Sequence, residues 1–110
     1  GTEILKLENG RGLSQFTARA WINFNGSSVA IHDSHNISSI TDVSVGKQKS
    51  NFTNNMTNTV YAVVGTANWR NCVCNNDNQV NFCETITGVF GGADAGADDA
   101  AAVHIAMFGD

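Results

Sequence analysis

The sequence predicts an all-β domain, an antiparallel β-sandwich of about eight strands with a jelly-roll-like course. Three observations carry that expectation. Apolar residues recur with a period of two through most of the 110 residues, the spacing of a sheet with one buried face. Charge is low, 15% against a usual figure of about 25%, and Asn, Thr, Ser and Gly supply the missing polarity, with 14 Asn and 11 Gly among them. These residues suit pleated surfaces and tight turns, whereas good helix formers are sparse.

Residues 1–15 carry a brief apolar alternation followed by Gly10 and Gly12, and are expected to form a lead-in from a stalk or upstream region; the domain proper is residues 16–110. In the first strand Ala18, Ala20, Ile22 and Phe24 alternate with Arg19, Trp21, Asn23 and Asn25. One apolar row results, and Trp21 projects to the other face, which an indole on a nominally polar side implies is covered. Asn25-Gly26 is the dipeptide a tight hairpin prefers, so residues 29–33 are read as the returning arm. A third strand follows at 36–42. Residues 43–50, with Gly46 and two lysines, read as a loop leading into Asn51-Phe52-Thr53. Residues 59–66 are the most apolar run and are expected at the centre of a sheet, covered on both faces. Residues 69–74 and 79–86 then flank Asn75, Asn76, Asp77 and Asn78 as a hairpin tip. Residues 88–99 read as a Gly-Ala-Asp loop, and 103–108 as the closing strand. Short strands at this spacing point to a sandwich or small barrel.

Length and charge exclude several functions. A chain of this size buries about two-thirds of its unfolded surface without metal or disulfide, so no cofactor is required. Six Lys plus Arg stand singly against ten Asp plus Glu, which leaves no basic stripe for nucleic acid. The apolar runs are a handful of residues, far below the roughly 20 that a membrane-spanning helix needs. Because the chain opens on Gly1 rather than Met, it is expected to be a processed or excised piece, and the lack of a leader says little about location.

Residues 18–26 (Ala-Arg-Ala-Trp-Ile-Asn-Phe-Asn-Gly), 31–42 (Ile-His-Asp-Ser-His-Asn-Ile-Ser-Ser-Ile-Thr-Asp), Asn51-Phe52-Thr53 with Met56, and Tyr61-Ala62-Val63-Val64-Gly65 resemble, in order and spacing, the C-terminal head domain of tailed-bacteriophage tail fibre and virion appendage proteins. The last eight residues resemble the strand on which such chains end. The likeness covers roughly residues 17–66 and the last eight. It departs at Thr57, where the family usually has Pro after the Met, and at His35, where it has an aromatic; residues 69–102 match nothing in it. The resemblance implies a non-enzymatic head domain of the virion, an extracellular appendage that works as a homotrimer beside other virion proteins and attaches to a glycan or protein of the host cell surface. Trp21 and Asn23 are then subunit-interface candidates. The alternatives are a virion decoration or extracellular filament subunit and, from another class, a polysaccharide hydrolase.

Sugar-binding surfaces use amide groups and aromatic faces, which makes Trp69, Arg70, Asn71, Asn75, Asn76, Asp77 and Asn78 receptor-binding candidates; the alternative is that they only form turns. Cys72 and Cys83 would face each other if the tip turns between Asp77 and Asn78, and a cross-strand disulfide is one reading of them, buried free thiols the other. Cys72, Cys74 and Cys83 have poor zinc spacing. His32 and His35 point to opposite faces of a strand and His104 stands alone, so none is assigned to a metal. Asp94, Asp98 and Asp99 lack the cadence of a calcium loop and read as a solvated acidic segment. No catalytic residue is assigned: no Ser lies in a nucleophile elbow, and Glu84 has no carboxylate partner at a readable spacing. Asn25, Asn36, Asn51 and Asn55 head glycosylation sequons that a phage protein leaves unoccupied.

Overall fold

The computed structural model describes residues 18–89 and 96–109, and these form nine strands in two antiparallel sheets packed as a β-sandwich. The strands are β1 (Ala20–Asn25), β2 (Ala30–His35), β3 (Ile37–Ser44), β4 (Lys47–Phe52), β5 (Ala62–Ala67), β6 (Asn71–Asn78), β7 (Phe82–Val89), β8 (Gly96–Ala97) and β9 (Val103–Phe108). One sheet has the order β2-β1-β9-β5 and the other β3-β4-β7-β6, with β8 pairing the end of β7. The lead-in segment 1–15 lies outside the described residues.

The core is built by two alternating strands at the centre of the four-stranded sheet. Ala20, Ile22 and Phe24 of β1 lie beside Met107, Ile105 and Val103 of β9 in register, all nearly or fully buried. Fully burying side chains of the larger kind among these is worth about 1.5–3 kcal/mol each. Phe52 and Tyr61 close one end edge to face, ring centroids 5.8 Å apart, and the Tyr61 hydroxyl lies 2.9 and 3.0 Å from the carbonyl oxygens of Gln79 and Phe82, sharing its one proton between them. That ties the core to the β6–β7 turn. The five-stranded sheet turns a more polar row inward: Gln48, Ser50, Thr85 and Thr87 are all buried.

The first passage of the chain from one sheet to the other takes a single residue. Asn36 joins β2 to β3 with φ 59°, a left-handed conformation that Asn tolerates better than most residues. Its amide donates to the Asn54 carbonyl at 3.0 Å and accepts from the Asn54 N–H at 2.7 Å, so the corner is clamped to the segment after β4.

Several expectations need correction. Residues 43–50 are not a loop. They hold the β3–β4 hairpin, whose turn at Val45 and Gly46 needs glycine: φ is +72°, and a Cβ there would lie 2.5 Å from the Thr87 carbonyl oxygen. Gln48 and Ser50 alternate inward with Phe52, but their polarity masks the strand period in the sequence. The apolar run at 59–66 is not central. Its strand, β5, is an edge that pairs, among the described residues, only with β9, and Val60 and Val64 are exposed. The Asn75 to Asn78 segment is not a hairpin tip, because β6 runs on to Asn78. Three residues, 74 to 76, stand opposite the single position Thr85 as a bulge, and the turn falls at 79–81 instead. Gly88 and Val89 are strand rather than loop, with Ala97 and Gly96 opposite them. The Asn25-Gly26 turn spans residues 26–29, and Val29 rather than Gly26 takes the positive φ, 56°. Glycine is required at 26 for closeness, since a Cβ would lie 2.7 Å from the Ala100 carbonyl oxygen.

Candidate functional site

Two surfaces stand out, each built around a tryptophan. The first is the outer face of the four-stranded sheet. Trp21 sits between buried Ala20 and Ile22 but points outward, 36% exposed. Register sets His35, Trp21, Ala106 and Val64 in one row across the four strands, and Asp33, Asn23, His104 and Thr66 in the next. The middle of these rows encloses an open, predominantly apolar trough of about 530 Å³. The alternation at 18–25 places Trp21 and Asn23 on this face. Val64, Thr66, His104 and Ala106 join them only through the pairing of β9 with both β1 and β5, which no local pattern announces. His32 falls at the irregularity where β2 shifts register against β1.

The second surface is the β5–β6 turn. Ala67 and Arg70 bridge across it, with the Arg70 N–H donating to the Ala67 carbonyl, and Trp69 occupies the turn with φ 57°. Its indole is 87% exposed. Beside it Arg70 is fixed: Nε donates to Asp98 Oδ2 at 2.9 Å, Nη2 lies 2.6 Å from the same oxygen, and Nη1 donates to the Trp69 carbonyl at 3.0 Å. Trp69, Arg70 and Asn71, with Ala67, Gly88 and Val89, line a shallow cleft of about 330 Å³.

The remaining receptor-binding candidates do not join this cleft. β6 carries them away along the strand, at about 3.3 Å per residue, so that Trp69 and Asn78 lie at opposite ends. Asn76 Nδ2 donates to Glu84 Oε1 at 2.6 Å, Asp77 accepts from Gln79 Nε2 at 2.7 Å, and Asn78 Oδ1 lies 3.4 Å from the Cys83 sulfur. Their side chains shape the bulge and the turn, while Asn75 stays exposed. Register sets Asp77 opposite Glu84, a juxtaposition hidden by the bulge, and the two carboxylates accept from different amides, those of Gln79 and Asn76.

Cys72 and Cys83 are not cross-strand partners. Cys72 pairs with Thr87 and Cys83 with Asn78, because the turn lies farther along than Asp77-Asn78, and all three cysteines are free. The nearest sulfur to Cys72 given by the geometry is that of Cys74, 3.4 Å away. Burial pushes the Cys72 and Cys83 thiols up to about 12, so they stay protonated and unreactive at neutral pH. Among the described residues no three His, Cys, Asp or Glu side chains gather as a metal ion needs, and no helix is long and apolar enough to cross a membrane.

Asp98 and Asp99 are not a solvated acidic segment. Asp98 holds Arg70, and Asp99 Oδ1 accepts from the Gly46 N–H at 2.7 Å and from Gln48 Nε2 at 3.4 Å. Asp94 lies outside the described residues. Three of the sequon asparagines are likewise engaged: Asn25 Oδ1 accepts from the N–H groups of Ser27 and Ser28, Asn36 clamps Asn54, and Asn51 Nδ2 donates to Ser39 and Thr41.

No protein-family model, curated protein or solved structure matches the chain at a significant level.

Proposed function

We propose that the chain is a non-enzymatic head domain of a tailed-phage fibre or virion appendage, a homotrimer that attaches the virion to a glycan or protein of the host cell surface. One observation carries the reading beyond the sequence likeness. The sandwich already buries Ala20, Ile22 and Phe24 on the inner face of β1, yet its outer face presents Trp21, Ala106 and Val64 around an apolar trough. An aromatic at the centre of an apolar patch is the composition of a subunit interface. The blocks that carry the resemblance, 18–26, 31–42 and 61–65 with the last eight residues, contribute to all four strands of this sheet. Residues 37–42 and the block at 51–53 lie along β3 and the end of β4 in the other sheet, so the likeness takes in the candidate interface without being confined to it.

Attachment is tested by adding the fluorescently labelled chain to a panel of bacterial strains. Saturable binding to a subset, competed by unlabelled chain, is the expected result. Absence of binding from every strain, or equal unsaturable binding to all, contradicts an attachment role.

A further inference from the structure

The Trp69 cleft sets an exposed aromatic beside a guanidinium fixed by Asp98, and we infer that it takes an uncharged pyranose unit of a surface glycan, the indole lying against the apolar face of the sugar ring. The inference rests on the attachment reading and names its ligand class.

Trp69 combines two features, of which Val29, at φ 56°, shares only the first. A bulky residue at φ 57° is a backbone outlier, of a kind that costs about 1–3 kcal/mol and persists at functional sites. The second position of such a turn favours Gly or Asn, and Asn is present one residue earlier, at Asn68. The indole is also 87% exposed, so it adds little to the core. A platform held clear of the surface by a short turn is the arrangement that stacking on a ligand requires.

The polar groups around the platform choose among ligands. Three of the five N–H groups of the Arg70 guanidinium face Asp98 Oδ2 or the Trp69 carbonyl. Asp98 offsets the charge, and the remaining donors, with the Asn71 amide, suit hydroxyl groups. A carboxylated sugar would compete with Asp98 for the same cation and approach a chain of net charge −4. The cleft is shallow and open, and its volume of about 330 Å³ has room for one sugar ring lying against the indole.

The full chain labelled with ¹⁵N shows two indole N–H signals, those of Trp21 and Trp69, assigned with Trp69→Asn. Methyl β-D-glucopyranoside and methyl β-D-galactopyranoside are titrated as neutral probes, with methyl β-D-glucuronide and N-acetylneuraminic acid as charged ones. At least one neutral probe is expected to shift the Trp69 signal to saturation while Trp21 stays in place, and the charged probes to bind at least tenfold more weakly. Trp69→Asn is expected to abolish binding of that probe, read in parent and variant alike from the backbone amide signals of Arg70 and Asn71, while melting at or above the temperature of the parent, because Asn tolerates the left-handed backbone. Silence of Trp69 toward both neutral probes overturns the inference, as does equal binding of charged sugars or a variant that loses stability and keeps binding. Molar mass separates the two readings. A trimer with a silent Trp69 removes the site and leaves the head domain, whereas a responding monomer keeps the site and contradicts the trimeric head.

Discussion

Cys83 and Thr85 face the same interior from β7, and each shows how a buried polar atom sets a property of the whole chain. Cys83 is completely buried, and burial raises its thiol from 9.0 to about 12. In the unfolded chain the same thiol loses its proton near 9. Unfolding therefore releases protons above that pH, and stability declines as pH rises from about 9 toward 12. Cys72 and the Tyr61 hydroxyl, raised chiefly by burial, act in the same direction. Thermal melts between pH 7 and pH 10.5 are expected to show a flat contribution at first and then a fall, and Cys83→Ala to remove part of the fall. Thr85 is the opposite case. Its hydroxyl has no hydrogen-bond partner among the described residues, and nor do Ser50 Oγ and Gln48 Oε1. An orphaned buried hydroxyl costs about 1–3 kcal/mol, so the near-isosteric Thr85→Val is expected to raise stability by about 1 kcal/mol. An unchanged or lowered urea midpoint contradicts that account of the row.

At the scale of elements, the segment from β8 to Ala100 acts as a strap across two turns. Asp98 pairs its backbone with Thr87, by N–H to carbonyl at 2.9 Å, and receives the Thr87 hydroxyl at 2.8 Å, while Asp99 holds the β3–β4 turn through Gly46. The two carboxylates differ in worth. The Arg70–Asp98 pair is partly exposed and is worth at most about 1 kcal/mol. Asp99 satisfies an N–H of buried Gly46, so Asp99→Ala is expected to cost about 1–3 kcal/mol, more than Asp98→Ala, in urea unfolding at constant slope. Strands whose apolar period shows in the residues themselves are legible: β1 and β9 stand where the alternation puts them. What escapes is decided by distant partners. β4 is hidden because its inward residues are Gln48 and Ser50, and β5 reads as central because Tyr61 to Val64 is apolar, although among the described residues it borders only β9. The asparagines of β6 mimic a turn because the bulge opposite Thr85 uses the same residue types. The candidate site divides in the same way, since the orientation of Trp21 follows from its period whereas the trough needs the β1-β9-β5 order.

For the whole molecule, the sandwich has one filled interior and one unfilled exterior. Trp21 contributes to the second and lies outside the first, so Trp21→Arg is expected to leave an isolated subunit folded, at a cost of about 1–2 kcal/mol for the area the indole covers on its own sheet, while abolishing assembly. Arg fits this face poorly in a trimer because three copies would bring like charges to a desolvated contact. Trp69 lies elsewhere, on the β5–β6 turn, and its substitution is expected to leave assembly intact. The proposed reading gives assembly and ligand contact to different tryptophans, and each is expected to be removable without the other. The most direct test is the absolute molar mass of the chain by light scattering across a range of concentrations. A mass three times the 11.7 kDa of one chain, falling to that of one chain in Trp21→Arg, is the predicted result. A monomer at every concentration, or a trimer indifferent to Trp21→Arg, contradicts the assignment of this face.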